Sequence, residues 1–111
     1  MKELIDNDSG YSREVNVAVR LIVPIQAAPG KRDELIEAYR IRCQEVRSEE
    51  KGCEEYELYQ SIERPDHLAL LERWTDEAAL SAHAELNKKR SNNLAFLRTG
   101  HTLVERYIAE S

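Results

Sequence analysis

Glu72-Arg73-Trp74-Thr75-Asp76-Glu77-Ala78-Ala79-Leu80-Ser81-Ala82-His83 joins the end of a strand to the start of a helix and carries the only tryptophan of the chain. Leu68, Leu70, Glu72 and Trp74 share one strand parity, and Ala69 and Leu71 the other. Thr75-Asp76-Glu77 is a helix-entry signal, so the strand ends at Thr75 or Asp76. From a helix beginning near Asp76, Leu80 and His83 fall three apart on one face, which points His83 toward the packed side.

Upstream, Val15, Val17, Val19, Leu21, Val23 and Ile25 alternate with more polar residues and predict a long first strand, weakened at its far end by Pro24. Ala28-Pro29-Gly30-Lys31 turns into a helix whose stripe is Leu35, Ile36, Tyr39, Cys43 and Val46, and Lys51-Gly52 ends it. Cys53 to Ile62 reads as a second strand, hairpin-linked through Glu63-Arg64-Pro65-Asp66 to the Leu68–Trp74 strand. A second helix, an apolar cluster at Leu94, Phe96 and Leu97, and a last strand from Thr102 to Ile108 complete the order βαββαβ. That order is the α+β, ferredoxin-like split unit: an antiparallel sheet with both helices on one face. Residues 1–14, containing Asp6-Asn7-Asp8-Ser9-Gly10, read as a flexible N-terminal extension, with one domain over 15–111. Tyr56, Leu58 and Leu70 are assigned to the sheet's second face, where a homodimer partner would cover them.

Composition narrows the function. A net charge of −5 with 33% charged residues of both signs supplies no basic stripe for a phosphate backbone, which argues against nucleic acid. No apolar run approaches the roughly 18 residues of a membrane span, and the N-terminus has no signal-like pattern, so the expected compartment is the cytoplasm. Cys43 and Cys53 are too few for a disulfide framework and lack zinc-ligand spacing; they read as buried free thiols, and no metal site is expected.

Three motifs, in order, resemble one family: Ala28-Pro29-Gly30-Lys31 before a helix, Gly52-Cys53-Glu54-Glu55-Tyr56-Glu57-Leu58-Tyr59 in a strand, and Glu72-Arg73-Trp74 followed by Glu77-Ala78-Ala79-Leu80 and Ala82-His83. Over about Val15 to Ile108 the chain is similar to antibiotic biosynthesis monooxygenase domains. The resemblance implies a dimeric α+β barrel. It also implies a choice of activities: quinol or anthrone oxidation by O2 without metal or flavin, haem degradation, or isomerisation of a small phosphorylated ligand. Fold membership alone does not choose among them. The haem-degrading pattern is not met, since Val19, His83 and Asn93 stand where it has asparagine, tryptophan and a ligating histidine.

Cofactor-free oxygenation requires a base, a donor for the developing anion and an apolar chamber. His83 is the candidate base, because a neutral imidazole accepts a proton near pH 7. Trp74 is the candidate aromatic wall. Tyr56 or Tyr59, according to which strand face lines the chamber, is the candidate donor, and Arg20 an anion-stabilising cation if it points inward. Leu80 and Phe96 complete the candidate substrate wall. The expected partners are a small aromatic or hydrophobic substrate, O2 and a second copy of the chain. A packed helix histidine, a core tryptophan, a strand Arg20–Glu pair and a non-catalytic ligand-binding dimer are the bland counterparts of each reading.

Overall fold

The computed structural model describes residues 2–6, 12–90, 93–101 and 103–109. Its main sheet is built from β3 (Ala18–Ala27), β4 (Cys53–Gln60), β5 (His67–Trp74), β6 (Arg98–Thr99) and β7 (Glu105–Ala109); β1 (Lys2–Asp6) and β2 (Ser12–Asn16) precede it. The helices are α1 (Arg32–Glu49) and α2 (Glu77–Lys89), followed by a 3₁₀ segment at Asn93–Leu97. All pairings are antiparallel: β4 lies beside β5, β5 beside β3, and β6 and β7 share the other side of β3. The ferredoxin-like order expected from the sequence is therefore present.

Two boundaries differ from the alternation pattern. Val15 and Asn16 belong to β2, which pairs with β1 from Lys2↔Asn16 to Asp6↔Ser12 as a separate two-stranded sheet, and the long strand begins at Ala18. The apolar alternation crosses this junction without a break, so periodicity could not locate it. The last strand is split, because β6 pairs at Gln26↔Thr99 and β7 only from Ile22↔Glu105 onward. Thr102, the expected start of that strand, and Asp8–Gly10 of the expected extension lie outside the described residues.

Helix boundaries follow local chemistry. Asp76 caps α2, its Oδ1 accepting from the Ala79 backbone N–H at 2.9 Å. Gly52 ends the α1 turn at φ +84°, and a Cβ there would stand 2.6 Å from Ala79 Cβ. Only glycine permits both that backbone and the approach of α2. Leu35, Tyr39, Cys43 and Val46 form the buried stripe of α1 and meet Ile25, Tyr56, Leu68, Leu70 and Trp74 from the sheet.

Register corrects the expected faces. Val23↔Leu70 and Leu70↔Leu58, with Leu21↔Glu72 and Glu72↔Tyr56, put Tyr56, Leu58 and Leu70 on the helix-covered face. The outer face instead carries Arg20, Ile22 and Pro24 from β3, Ala69, Leu71 and Arg73 from β5, and Tyr59 from β4. Parity was legible in the sequence, but which parity faces the helices depends on the fold. Cys43 and Cys53 are free thiols, and burial pushes both up to about 11. No helix of the described residues is long and apolar enough to cross a membrane.

Candidate active site

A cavity of about 650 Å³ lies on the helix-covered face, with Val23, Leu70, Leu94 and Val104 as its apolar wall. Tyr39 and Tyr56 supply phenols, Arg42, Lys88, Arg90 and Arg98 supply cations, and Glu72 and Asn87 complete the polar lining. Its size suits a small organic molecule.

Behind that wall stands His83, 4% exposed. Its ring stacks at a tilt on Trp74, centroids 4.5 Å apart, and meets Tyr56 edge-on at 5.3 Å. Glu50, the first residue beyond α1, turns its side chain back under α2 and places Oε1 2.8 Å from His83 Nδ1. Asn87, one turn along α2, places Nδ2 3.0 Å from His83 Nε2. Arg90 closes the circuit: its Nη1 donates to Asn87 Oδ1 at 3.0 Å and stands 2.6 Å from Glu50 Oε2. Its Nε donates to Glu45 at 2.8 Å.

This circuit fixes protons. A guanidinium only donates, so the Asn87 carbonyl faces Arg90 and the Asn87 NH2 faces His83. Nε2 must then accept, which leaves the proton of a neutral ring on Nδ1, donated to the Glu50 carboxylate. His83 is thereby held with Nδ1 toward Glu50 and Nε2 toward Asn87.

Glu72 is the second buried carboxyl group. It is 5% exposed, and its Oε1 accepts from Trp74 Nε1–H at 2.9 Å and lies 3.8 Å from His83 Nε2. Burial raises its carboxyl above the usual range of 4.5 and Glu50 adds to the rise, while the Trp74 N–H and His83 oppose it. Burial likewise raises the Tyr56 and Tyr39 hydroxyls, and Arg98 donates to Tyr39 Oη at 3.1 Å.

The structure thus brings together His83, Trp74 and Tyr56 of the expected set, with Leu80 half-buried against the same core. It separates the others. Arg20 and Tyr59 lie on the outer face, Arg20 paired with Glu55, and Tyr59 donating to Glu57 at 3.2 Å and half exposed. Phe96 is 81% exposed beside Glu37, Ala38 and Ile41 of α1, away from the cavity.

Glu50, Glu72, Asn87 and Arg90 were not among the expected residues. Two carried a signal. Glu72 is a carboxylate on an otherwise apolar strand parity, and Glu50 is an acid at a helix C-terminus, where the helix dipole favours cations. Asn87 and Arg90 look like ordinary helix-surface polarity until α1 and α2 are placed together.

An antiparallel sheet under two helices, with a cavity lined by two phenols and a buried histidine behind its wall, defines a ferredoxin-like α+β domain. Residues 18–88 match the family model described as antibiotic biosynthesis monooxygenase, and the chain belongs to that family. The "Putative monooxygenase YcnE" of Bacillus subtilis strain 168 is 34% identical over 61 residues, covering 55% of this chain. The match spans 63% of that relative, less than two thirds of its length. A conserved protein from Methanosarcina mazei Go1 is 28% identical with a TM-score of 0.72, covering 86% of this chain and 94% of its own. A "putative antibiotic biosynthesis monooxygenase" from Caulobacter crescentus CB15 has a TM-score of 0.78 at 19% identity, over 86% of this chain and 92% of its own, and shares the fold. The family is described by monooxygenase activity, and membership leaves the reaction and substrate of this chain open.

Proposed function

We propose that this protein is a cofactor-independent monooxygenase that oxidises a small quinol or anthrone-like substrate with O2 in the cavity beneath the helices. One observation carries the reading: a buried histidine and a buried carboxyl group, His83 and Glu72, set at a cavity wall of phenols and aliphatic side chains. An acidic hydroxyl loses its proton to this buried acceptor system and becomes an electron-rich anion. The anion reduces O2, the two radicals recombine as a peroxide, and loss of water leaves the quinone. Val23, Leu70 and Leu94 keep water from the intermediates, Trp74 fixes the acceptor groups, and a raised tyrosine hydroxyl stays protonated to donate to the oxyanion.

A homodimer formed through the outer sheet face, around Ile22, Ala69 and Leu71, belongs to the same proposal. The test is a hydroquinone and anthrone panel on an oxygen electrode, with anaerobic controls and subtraction of autoxidation. Protein-dependent oxygen uptake, about 10²-fold slower in His83→Ala, is expected; equal rates in the two proteins would remove His83 from the mechanism.

A second reading is favoured by the cations on the cavity wall, Arg42, Lys88, Arg90 and Arg98, which suit an anionic ligand such as the phosphorylated substrate of an isomerase. Conversion without oxygen would select it. Ligand binding with no turnover would select a non-catalytic carrier.

A further inference from the structure

The Arg90–Asn87–His83–Glu50 circuit holds His83 Nε2, already accepting from Asn87, 3.8 Å from Glu72 Oε1, so two buried acceptors stand side by side and a proton entering the site has two places to go. The circuit also decides which of them takes it. A proton on Nε2 would confront the Asn87 NH2; turning that amide over would confront Arg90 with the same NH2. A proton on Glu72 meets no such conflict, since Nε2 keeps the hydrogen bond it accepts from Asn87 and stays bare while the neutral carboxyl carries the proton 3.8 Å away. Glu72, unlike His83, also lines the cavity.

We propose that Glu72 is the catalytic residue that takes the proton from the substrate hydroxyl, and that His83, kept bare at Nε2 by the hydrogen bond from Asn87, is a positioning residue beside it. The substrate's identity rests on the oxygenase reading above; the proton site does not. In the step, the substrate O–H bond breaks, its proton passes to the Glu72 carboxylate, and the electron pair stays on the substrate oxygen. The anion then reduces O2. The proton returns to the peroxide formed at a substrate C–H carbon; the O–O bond and that C–H bond then break together, the outer oxygen leaves as water with the carbon's hydrogen, and the inner oxygen stays as the new carbonyl.

The groups around Glu72 are compatible with this role. From α1 and its end come Arg42, Cys43 and Glu50, from β4 Cys53 and Tyr56, and from α2 and its end His83 and Arg90. Leu21 lies opposite on β3. Burial and Glu50 favour a proton on Glu72, and the Trp74 N–H holds the carboxyl in place whether or not it is protonated.

Glu72→Gln keeps the shape and can still accept from Trp74, but it cannot take a proton. On the aromatic that the wild type oxidises fastest, kcat should fall about 10²-fold with KM within about threefold, and the acidic limb of the kcat–pH profile should disappear. Nitrogen NMR of the histidine rings supplies a readout independent of turnover. Wild-type His83 should show protonated Nδ1 and bare Nε2 at neutral pH, with an Nε2 shift on acidification that Glu72→Gln lacks. Wild-type kcat and pH profile in Glu72→Gln, or a proton on Nε2 with bare Nδ1, would overturn the proposal. A wild type that oxidises nothing in the panel overturns the oxygenase reading alone, and the nitrogen spectra then decide the proton site.

Discussion

His83 Nδ1 lies 2.8 Å from Glu50 Oε1, both side chains at most 5% exposed, so one hydrogen bond joins the end of α1 to the middle of α2. Arg90 shares the same carboxylate through its other oxygen. The pair sets the spacing of the helices over the cavity and the tautomer of the histidine at once.

Removing that carboxylate should be costly. Glu50→Ala leaves the His83 N–H and the Arg90 guanidinium buried beside an empty site, and a loss of about 3–5 kcal/mol in denaturant unfolding is expected. Glu50→Gln keeps an acceptor and should cost less, about 1–3 kcal/mol. A loss under about 0.5 kcal/mol in Glu50→Ala would mean that the circuit contributes nothing to the fold.

Glu72 should cost stability at neutral pH. Its carboxyl is raised in the folded chain, so below the ordinary value of 4.5 both folded and unfolded forms are protonated and there is no penalty. As pH rises, the unfolded carboxyl ionises first, and stability falls until the folded one ionises too. Relative to wild type, Glu72→Gln should therefore be more stable at pH 7 than at pH 4, read as the difference in urea unfolding free energy. A pH-independent difference would contradict the raised carboxyl.

Much of this fold was legible from periodicity, because single strands and helices declare themselves locally. The α1 stripe, the Asp76 cap, the Gly52 stop and the β4–β5 hairpin stand where the residues indicated. Legibility stopped where long-range register decides. Tyr56 and Tyr59 have opposite parity, but only the pairing of β4 with β5 and the packing of α1 put Tyr56 on the cavity and Tyr59 outside. Likewise Glu50 and His83 are 33 positions apart, and no local pattern joins them.

Gly52 tests the junction that seats α2. Gly52→Ala adds a Cβ 2.6 Å from Ala79 Cβ and 3.0 Å from Thr75 Cγ2, at a φ that disfavours side chains. It should lose about 2–4 kcal/mol from strain and overpacking together. Gly30→Ala, with a similar φ of +73° but open space around it, should lose only about 1–2 kcal/mol. Equal losses at the two sites would show that the contact with α2 is unimportant.

The outer face makes a separate prediction. Leu71 pairs with Ile22 there and stands on the far side of the sheet from the cavity. Leu71→Asp should shift the protein from dimer to monomer in sedimentation velocity, while an unchanged sedimentation coefficient would exclude this face as the interface.

The proposed reaction inserts one atom of dioxygen into an aromatic substrate, and oxygen-18 labelling reads that insertion in the product. Under labelled O2, mass spectrometry of the quinone formed at early times from the best panel substrate should show one heavy oxygen, with none from labelled water. A product that carries label only from water, or that forms equally fast without oxygen, would contradict it.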